Sequence, residues 1–282
     1  KMDRAWITKF DSALNDTIRQ AKQVPVLINY SVGNKRYEKK PDEQDLALIE
    51  KIENTEIPYW FPNDRMIEGG ESRRNDPAGI THIHHFYKKR SLWILSSLRK
   101  KIINNKYSNQ LSFLISSYDL THSTLMTRII FKTGGKKPVL TGYQSGTLYI
   151  SSLPVEKNLI CGIHNQKLSI IKDSLESVTQ INPISTLSAD SIGLNNNSYD
   201  YIFIDPPFGA NLNYSELNFL WESWLKVWTN NKQEAIENSV QGKGATEYRK
   251  LMTDSFKEAY RVLKPGRWMT VEFSNTKASV WN

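Results

Sequence analysis

The run Tyr201-Ile202-Phe203-Ile204-Asp205-Pro206-Pro207-Phe208-Gly209 constrains this chain more than any other. Four consecutive apolar residues read as a buried parallel strand, and an acid followed by two prolines stops it. Proline has no N–H to give to a ladder, so the chain must leave the sheet at Asp205, the strand's carboxyl end. Open α/β sheets bind their ligands at such ends. An acid, a rigid diproline and an aromatic there suit the gripping of a planar amine. A diproline turn with a solvated Asp205 and a core Phe208 would carry the same letters.

The flanks extend the pattern. Ile184-Ser185-Thr186-Leu187-Ser188-Ala189-Asp190-Ser191 reads as a short strand ending in Ala-Asp, followed by a polar loop and Tyr199-Asp200. Downstream, Leu217, Leu220, Trp221, Trp224, Leu225 and Trp228 recur at helical spacing, with the tryptophans as packing. A polar loop containing Gln241-Gly242-Lys243-Gly244 follows. Tyr248, Leu251, Met252, Phe256, Ala259, Tyr260 and Leu263 mark a second amphipathic helix. Lys264-Pro265-Gly266 stops it, and Trp268 to Phe273 predicts the next strand.

Asp205-Pro206-Pro207-Phe208 resembles the catalytic motif of amino-group methyltransferases that use S-adenosylmethionine, the N6-adenine and N4-cytosine DNA methyltransferases. Strand, motif, two helices, Lys-Pro-Gly turn and strand is the order expected after that motif in a class I methyltransferase. The resemblance narrows to large bacterial DNA methylases over Asp205 to Asn218, Arg261 to Phe273, and Gly79-Ile80-Thr81-His82-Ile83-His84-His85-Phe86-Tyr87-Lys88-Lys89-Arg90. In those proteins this material forms the latter part of a longer polypeptide. The implied fold class is α/β, a class I (Rossmann-like) methyltransferase sheet, here incomplete, with an N-terminal α+β region. The implied activity is methyl transfer from S-adenosylmethionine to an exocyclic base amine of DNA within a restriction-modification system. Adenine N6 is favoured, because cytosine-N4 relatives more often carry Ser in the first motif position.

The resemblance also implies roles. Asp205 and the carbonyl of Pro206 would each accept one N–H, drawing the nitrogen toward tetrahedral geometry and aiming its lone pair at the methyl donor. Pro206 and Pro207 would fix the loop, and Phe208 would stack on a base taken out of the helix. Asp190 would accept the cofactor's adenine amine, with the Ser191 N–H meeting the same ring; a turn or helix cap is the alternative for Asp190.

One expected part is missing. No hydrophobic strand leads into the glycine-containing loop that passes under the cofactor in this class. The nearest glycine pair, Gly142 and Gly146, precedes Leu148-Tyr149-Ile150 and predicts a hairpin turn. The chain opens at Lys1-Met2 and stops at Trp281-Asn282, inside an expected helix after Asn275. The expectation is therefore a fragment, with the missing segments in the same polypeptide or in a companion restriction subunit. Two alternatives stay open: the same chemistry on RNA, and a non-catalytic DNA-binding subunit whose partner supplies the cofactor loop.

Composition suits a nucleic-acid enzyme of the cytoplasm. The formal charge of +8 and pI near 9.3 favour a polyanionic partner, because phosphate neutralisation releases counterions. The single cysteine, Cys161, excludes internal disulfides and argues against a Cys-ligated zinc. No apolar run reaches membrane-spanning length, and Lys1 to Lys22 lacks the hydrophobic centre of a signal peptide.

Residues 1–78 read as a candidate target-recognition or DNA-binding region ahead of a methyltransferase domain over 79–282. Asp3 to Lys22 predicts a helix, Val24 to Tyr30 a strand, and Val32-Gly33-Asn34-Lys35 a hairpin turn. Pro41 to Glu53 predicts a helix with Leu46, Leu48, Ile49 and Ile52 on its apolar side. Ile57-Pro58-Tyr59-Trp60-Phe61-Pro62 holds aromatics between prolines that either stack on bases or fill a core. Arg65, Arg73 and Arg74 are expected to contact DNA. The cluster His82, His84, His85 suggests a metal, but only His82 and His84 would share a strand face, and no acidic or cysteine partner lies nearby. No metal is expected. Lys88, Lys89 and Arg90 either approach a phosphate or the cofactor or form a helix entry with solvated charges, ahead of a helix carrying Leu92, Trp93, Leu95 and Leu98. Further helices are expected over Leu111 to Ile130 and Val155 to Thr179, with a basic turn at Lys132 to Lys137 between them.

Overall fold

The computed structural model describes residues 4–131, 138–140, 142–164, 168–176, 184–210 and 212–275. The chain is mixed α/β, with seven α-helices and four two-stranded sheets among the described residues. It divides into two compact units, residues 1–66 with 73–176, and residues 67–72 with 177–282. None of the described helices is long and apolar enough to cross a membrane.

The first unit opens on two hairpins. β1 (Trp6–Asp11) pairs antiparallel with β2 (Asp16–Ala21), where a helix over 3–22 was expected. The turn decides the outcome. Asp11 Oδ1 accepts the Ala13 N–H at 3.0 Å, and Asn15 takes φ 52, a left-handed conformation that Asn tolerates and that breaks a helix. The second hairpin, β3 (Ile28–Val32) with β4 (Lys35–Lys39), turns at Gly33 and Asn34 as the sequence predicts, Gly33 supplying φ +58. Its first strand starts at Ile28, later than expected. α1 (Glu43–Glu53) begins at an Asp42–Asp45 capping box. Ile49 and Ile52 are partly buried, whereas Leu46 and Leu48 stay exposed.

A 3-10 turn over Ile83–Phe86 replaces the strand expected at the histidines. α2 (Lys89–Ile102) and α3 (Ser108–Tyr118) follow. Met66, Ile83, Phe86, Leu95, Leu114, Tyr118, Met126 and Leu148 fill this unit's core. The helix expected to run to Ile130 instead loosens into a π-turn, Asp119–Ser123, where the Ser123 hydroxyl donates to the Asp119 carbonyl. Such side-chain competition for backbone groups ends helices. β5 (Ile129–Phe131) then pairs with β6 (Pro138–Leu140), and α4 (Leu159–Gly162) and α5 (Leu168–Glu176) stand where one longer helix was expected. Gly146 makes a turn at φ +72, but no strand flanks it among the described residues, so the predicted hairpin there does not form. The basic turn Lys132 to Lys137 lies outside the described residues.

The second unit is built on a parallel pair, β7 (Tyr199–Ile204) and β8 (Leu263–Val271), joined through α6 (Tyr214–Leu225) and α7 (Ala245–Val262). Parallel neighbours need such a crossover. α7 passes directly into β8. The register jumps from Tyr199↔Leu263 to Tyr201↔Trp268, so Lys264-Pro265-Gly266 bulges out, with Gly266 at φ +72. Leu220 and Trp224 of α6 are buried; Trp228, beyond the helix end, is exposed. Along β7, Ile202 and Ile204 are partly buried while Tyr201 and Phe203 are exposed, so the strand is less enclosed than its apolar run predicts. No strand forms over the described residues 184–191, and Ile184 is 94% exposed. A strand needs a neighbour for its N–H and C=O groups, and among the described residues β7 pairs with β8 alone. The expected helix after Asn275 lies outside the described residues.

Glu216 of α6 ties residues 67–72 into this unit. Its buried carboxylate accepts from the N–H groups of Glu71 and Ser72 (2.8 and 2.7 Å), the Ser72 hydroxyl (3.0 Å) and Asn238 Nδ2 (3.2 Å). A Cβ at Gly69 would sit 2.1 Å from that carboxyl carbon, so any larger residue there would displace the carboxylate from its hydrogen bonds.

Candidate functional site

β7 ends where proline chemistry requires. Glu272 N–H reaches the Ile204 carbonyl at 2.9 Å, and Asp205-Pro206-Pro207-Phe208 then leaves the sheet. Two side chains hold the departing loop. The buried Tyr248 donates its hydroxyl to the Pro207 carbonyl at 2.6 Å, and Asn275 Nδ2 donates to the Phe208 carbonyl at 2.8 Å. Gly209 follows at φ +73, its carbonyl accepting from Glu237 N–H. Among the described residues nothing donates to the Asp205 carboxylate or to the Pro206 carbonyl. Asp205 is exposed and Pro206 buried. The loop therefore carries two adjacent acceptors without donors among the described residues, on a backbone whose next two carbonyls are locked. Asp205 also lies close enough to Tyr214 to matter: burial, then the Asp205 and Glu234 charges, push that phenol up.

Phe208 is half-buried, its ring edge-to-face with Phe273 at a 5.3 Å centroid distance. The expected open stacking plate is thus partly covered by packing.

Asp190 and Ser191 sit elsewhere on the unit. The Ser191 N–H donates to the Ser188 carbonyl at 3.1 Å and the Ile192 N–H to Glu258 Oε1 at 2.9 Å. The Ser191 N–H is thus engaged within a tight turn. Asp190 Oδ1 is buried with no donor among the described residues. Asp190 borders an open depression of about 420 Å³ together with Asp254, Lys257, Glu258 and Arg261. Arg261 grips Glu258 with two bonds of 2.7 Å, holding that carboxyl down at about 2. Tyr248, beside the motif, and Glu258, beside the Asp190 loop, are separated by about 15 Å of α7 at 1.5 Å per residue. Among the described residues no hydrogen bond or ion pair joins Asp190 to Asp205.

The first unit contains a cluster whose key member the sequence did not reveal. Asp11, at the end of β1, is the acidic partner of the histidines: its Oδ2 lies 2.7 Å from His84 Nε2 and 2.8 Å from His85 Nε2. His84 and His85 are buried and Asp11 is partly buried. Burial alone would raise the Asp11 pKa, but the hydrogen bonds from His84 and His85 outweigh it and hold the carboxyl far below its usual range. His85 is lowered, chiefly by burial, and His82 is pushed down to about 4 by burial and by its histidine neighbours. The three donor atoms lie within 4.8 Å of one another, close enough to suggest a metal. The hydrogen bonds argue otherwise. Thr81 N–H donates to His85 Nδ1 at 3.2 Å, so the ring hydrogen sits on Nε2 and points at Asp11. A metal would require that nitrogen's lone pair. The cluster reads as an imidazole–carboxylate knot fastening the β1–β2 turn.

Several expected phosphate contacts have internal partners. Arg65 spans both oxygens of Asp76 (2.8 and 3.3 Å) and the Thr81 carbonyl (2.6 Å), and Arg73 lies 3.6 Å from the same Asp76. Asp76, only three and eleven positions away, captures both. Arg74 is exposed. Lys88 is partly buried, which lowers its pKa, with Glu53 and Glu156 nearby. Arg90 is 3.5 Å from Glu156, and Lys89 lines a cavity of about 20 Å³ with Ile52, Thr55, Ile57 and Trp93. Of the proline-pinned aromatics, Phe61 packs on His84, while Trp60 remains 43% exposed beneath the Arg99 guanidinium.

No family model, curated protein or solved structure matches this chain.

Proposed function

We propose that this chain carries the catalytic loop of an S-adenosylmethionine-dependent methyltransferase acting on an exocyclic base amine of DNA, adenine N6 in preference to cytosine N4. One observation carries the reading: the exposed Asp205 carboxylate and the Pro206 carbonyl, neither with a donor among the described residues, adjoin each other at the carboxyl end of a parallel strand whose loop Tyr248 and Asn275 hold. A base amine has two N–H groups, and two adjacent acceptors match them. Accepting both draws the nitrogen lone pair out of conjugation with the ring, and the Asp205 charge steadies the positive charge that develops on nitrogen. S-adenosylmethionine supplies the methyl group when bound. On this reading β7 and β8 belong to a class I sheet that further strands complete. Of the expected cofactor contacts, Asp190 Oδ1 has no donor among the described residues, whereas the Ser191 N–H is taken by the Ser188 carbonyl. The engaged Ser191 N–H favours a second reading, a DNA-binding subunit whose partner brings the cofactor pocket.

The test is methyl transfer to duplex DNA and to RNA, comparing wild type with Asp205→Ala. Transfer to DNA that disappears in the variant supports the enzyme. Equal transfer by both proteins overturns it, and transfer to RNA alone moves the substrate class.

A further inference from the structure

The two ends of α2 lie in different electrostatic surroundings. At its start Lys88 and Arg90 face Glu53 and Glu156. At its other end Arg99, Lys100 and Lys101 are consecutive, Lys106 stands in the turn to α3, and the sequence from Lys88 to Tyr118 contains no acid. Among the described residues none of these four is ion-paired, whereas Lys39, Arg65, Lys264 and Arg267 all are. Lys100, Lys101 and Lys106 are exposed. Two aromatics accompany them: Arg99 lies 4.6 Å over the Trp60 ring and Lys106 lies 4.8 Å from the Tyr107 ring, both rings substantially exposed. Cations in a last helical turn also complement the helix dipole, which accounts for Arg99 to Lys101. It does not account for Lys106 in the turn or for an exposed Trp60 under a guanidinium.

We infer that the α2–α3 turn, through Arg99, Lys100, Lys101 and Lys106, is a surface that binds the phosphate backbone of duplex DNA. Unpaired, exposed cations release counterions from DNA, whereas those already paired to carboxylates gain little. The preference for DNA over another polyanion rests on the proposed function; the existence of a polyanion surface does not. Phosphate contacts of this kind position a protein on the duplex and carry no sequence information.

The experiment is fluorescence-anisotropy titration of labelled duplex DNA across a salt series, using the triple variant Lys100→Gln/Lys101→Gln/Lys106→Gln. Each lost phosphate contact removes about 0.9 from the slope of log affinity against log salt, so the slope should fall by about 2 to 3. Lys→Arg at the same three positions should keep the slope, and Arg65→Gln should leave it unchanged. An unchanged slope in a folded triple variant overturns the surface, as does a slope lost equally with the charge-keeping Lys→Arg variant. Tighter binding of anionic lipid vesicles or RNA than of DNA overturns the choice of partner. Methyl transfer is read separately. Asp205-dependent transfer with an unchanged slope refutes the surface alone, and the expected slope change without such transfer refutes the enzyme alone.

Discussion

Asp11 ends a strand and Asp205 follows one, and the structure uses the two carboxylates in opposite ways. Asp11 Oδ2 accepts from two buried imidazoles and its Oδ1 from a backbone N–H, so it has little left to offer a ligand. Asp205 is exposed, and among the described residues nothing donates to it. An acid with its partners in place stabilises a fold; one held on a fixed loop without them can do chemistry. The same contrast separates Arg65, paired three ways, from Lys100, Lys101 and Lys106, which have no ion pair among the described residues.

The largest test of that contrast is Asp205→Ala. Methyl transfer should fall by about a thousandfold, about 4 kcal/mol of transition-state stabilisation, while unfolding stability moves by less than about 0.5 kcal/mol. Chemical denaturation beside the transfer assay checks both, and a variant that melts early would place Asp205 with Asp11. Asp11→Ala should behave inversely, losing about 2–3 kcal/mol of stability because two buried imidazole N–H groups lose their acceptor. Asp11→Asn, which keeps one acceptor oxygen, should recover part of the loss. A stability change near zero would mean that the knot holds nothing.

Tyr248→Phe sharpens the comparison further, since it deletes the hydrogen bond to Pro207 and retains the buried ring. The expected loss is about fivefold, near 1 kcal/mol, falling on kcat with KM for DNA little changed. A KM effect alone would show that the loop conformation does not depend on Tyr248. The smallest effect concerns pH. The folded His82 is lowered to about 4 against an ordinary 6.5, so the unfolded chain binds more protons between those values. Its contribution to stability is complete above about pH 6.5 and is lost as pH falls toward 4. Screening at this partly exposed site holds it to under about 1 kcal/mol. Asp11, His84, His85 and Arg65 surround the ring, and His82→Asn should flatten the stability profile in that window. An unchanged profile would remove His82 from the knot's energetics.

What could be read in the sequence followed the range of the physics. The exit of the chain at Asp205 was legible because a missing proline N–H acts at its own position. The Gly33 turn was legible because glycine's freedom at positive φ likewise acts at its own position. The Asp11 knot was not, since 73 residues separate Asp11 from His84 and nothing in either neighbourhood points to the other. Residues 3–22 misled because an Asx turn with a left-handed Asn15 outweighs a modest helical pattern. Residues 184–191 misled because a strand exists only where a neighbour accepts its hydrogen bonds.

By itself the sequence determined the exit of β7 at Asp205 and the turn at Gly33, through proline and glycine chemistry, and placed an acid, two prolines and an aromatic at a strand end. Only the tertiary structure decided which polar groups would be left open. It closed the Ser191 N–H into a turn, paired Arg65 and Arg73 with Asp76, and locked the Pro207 and Phe208 carbonyls. It left Asp205 and the Pro206 carbonyl without donors among the described residues. Steric limits on the backbone act within a few residues, whereas the pairing of a donor with an acceptor depends on which distant segments packing brings to within 3 Å.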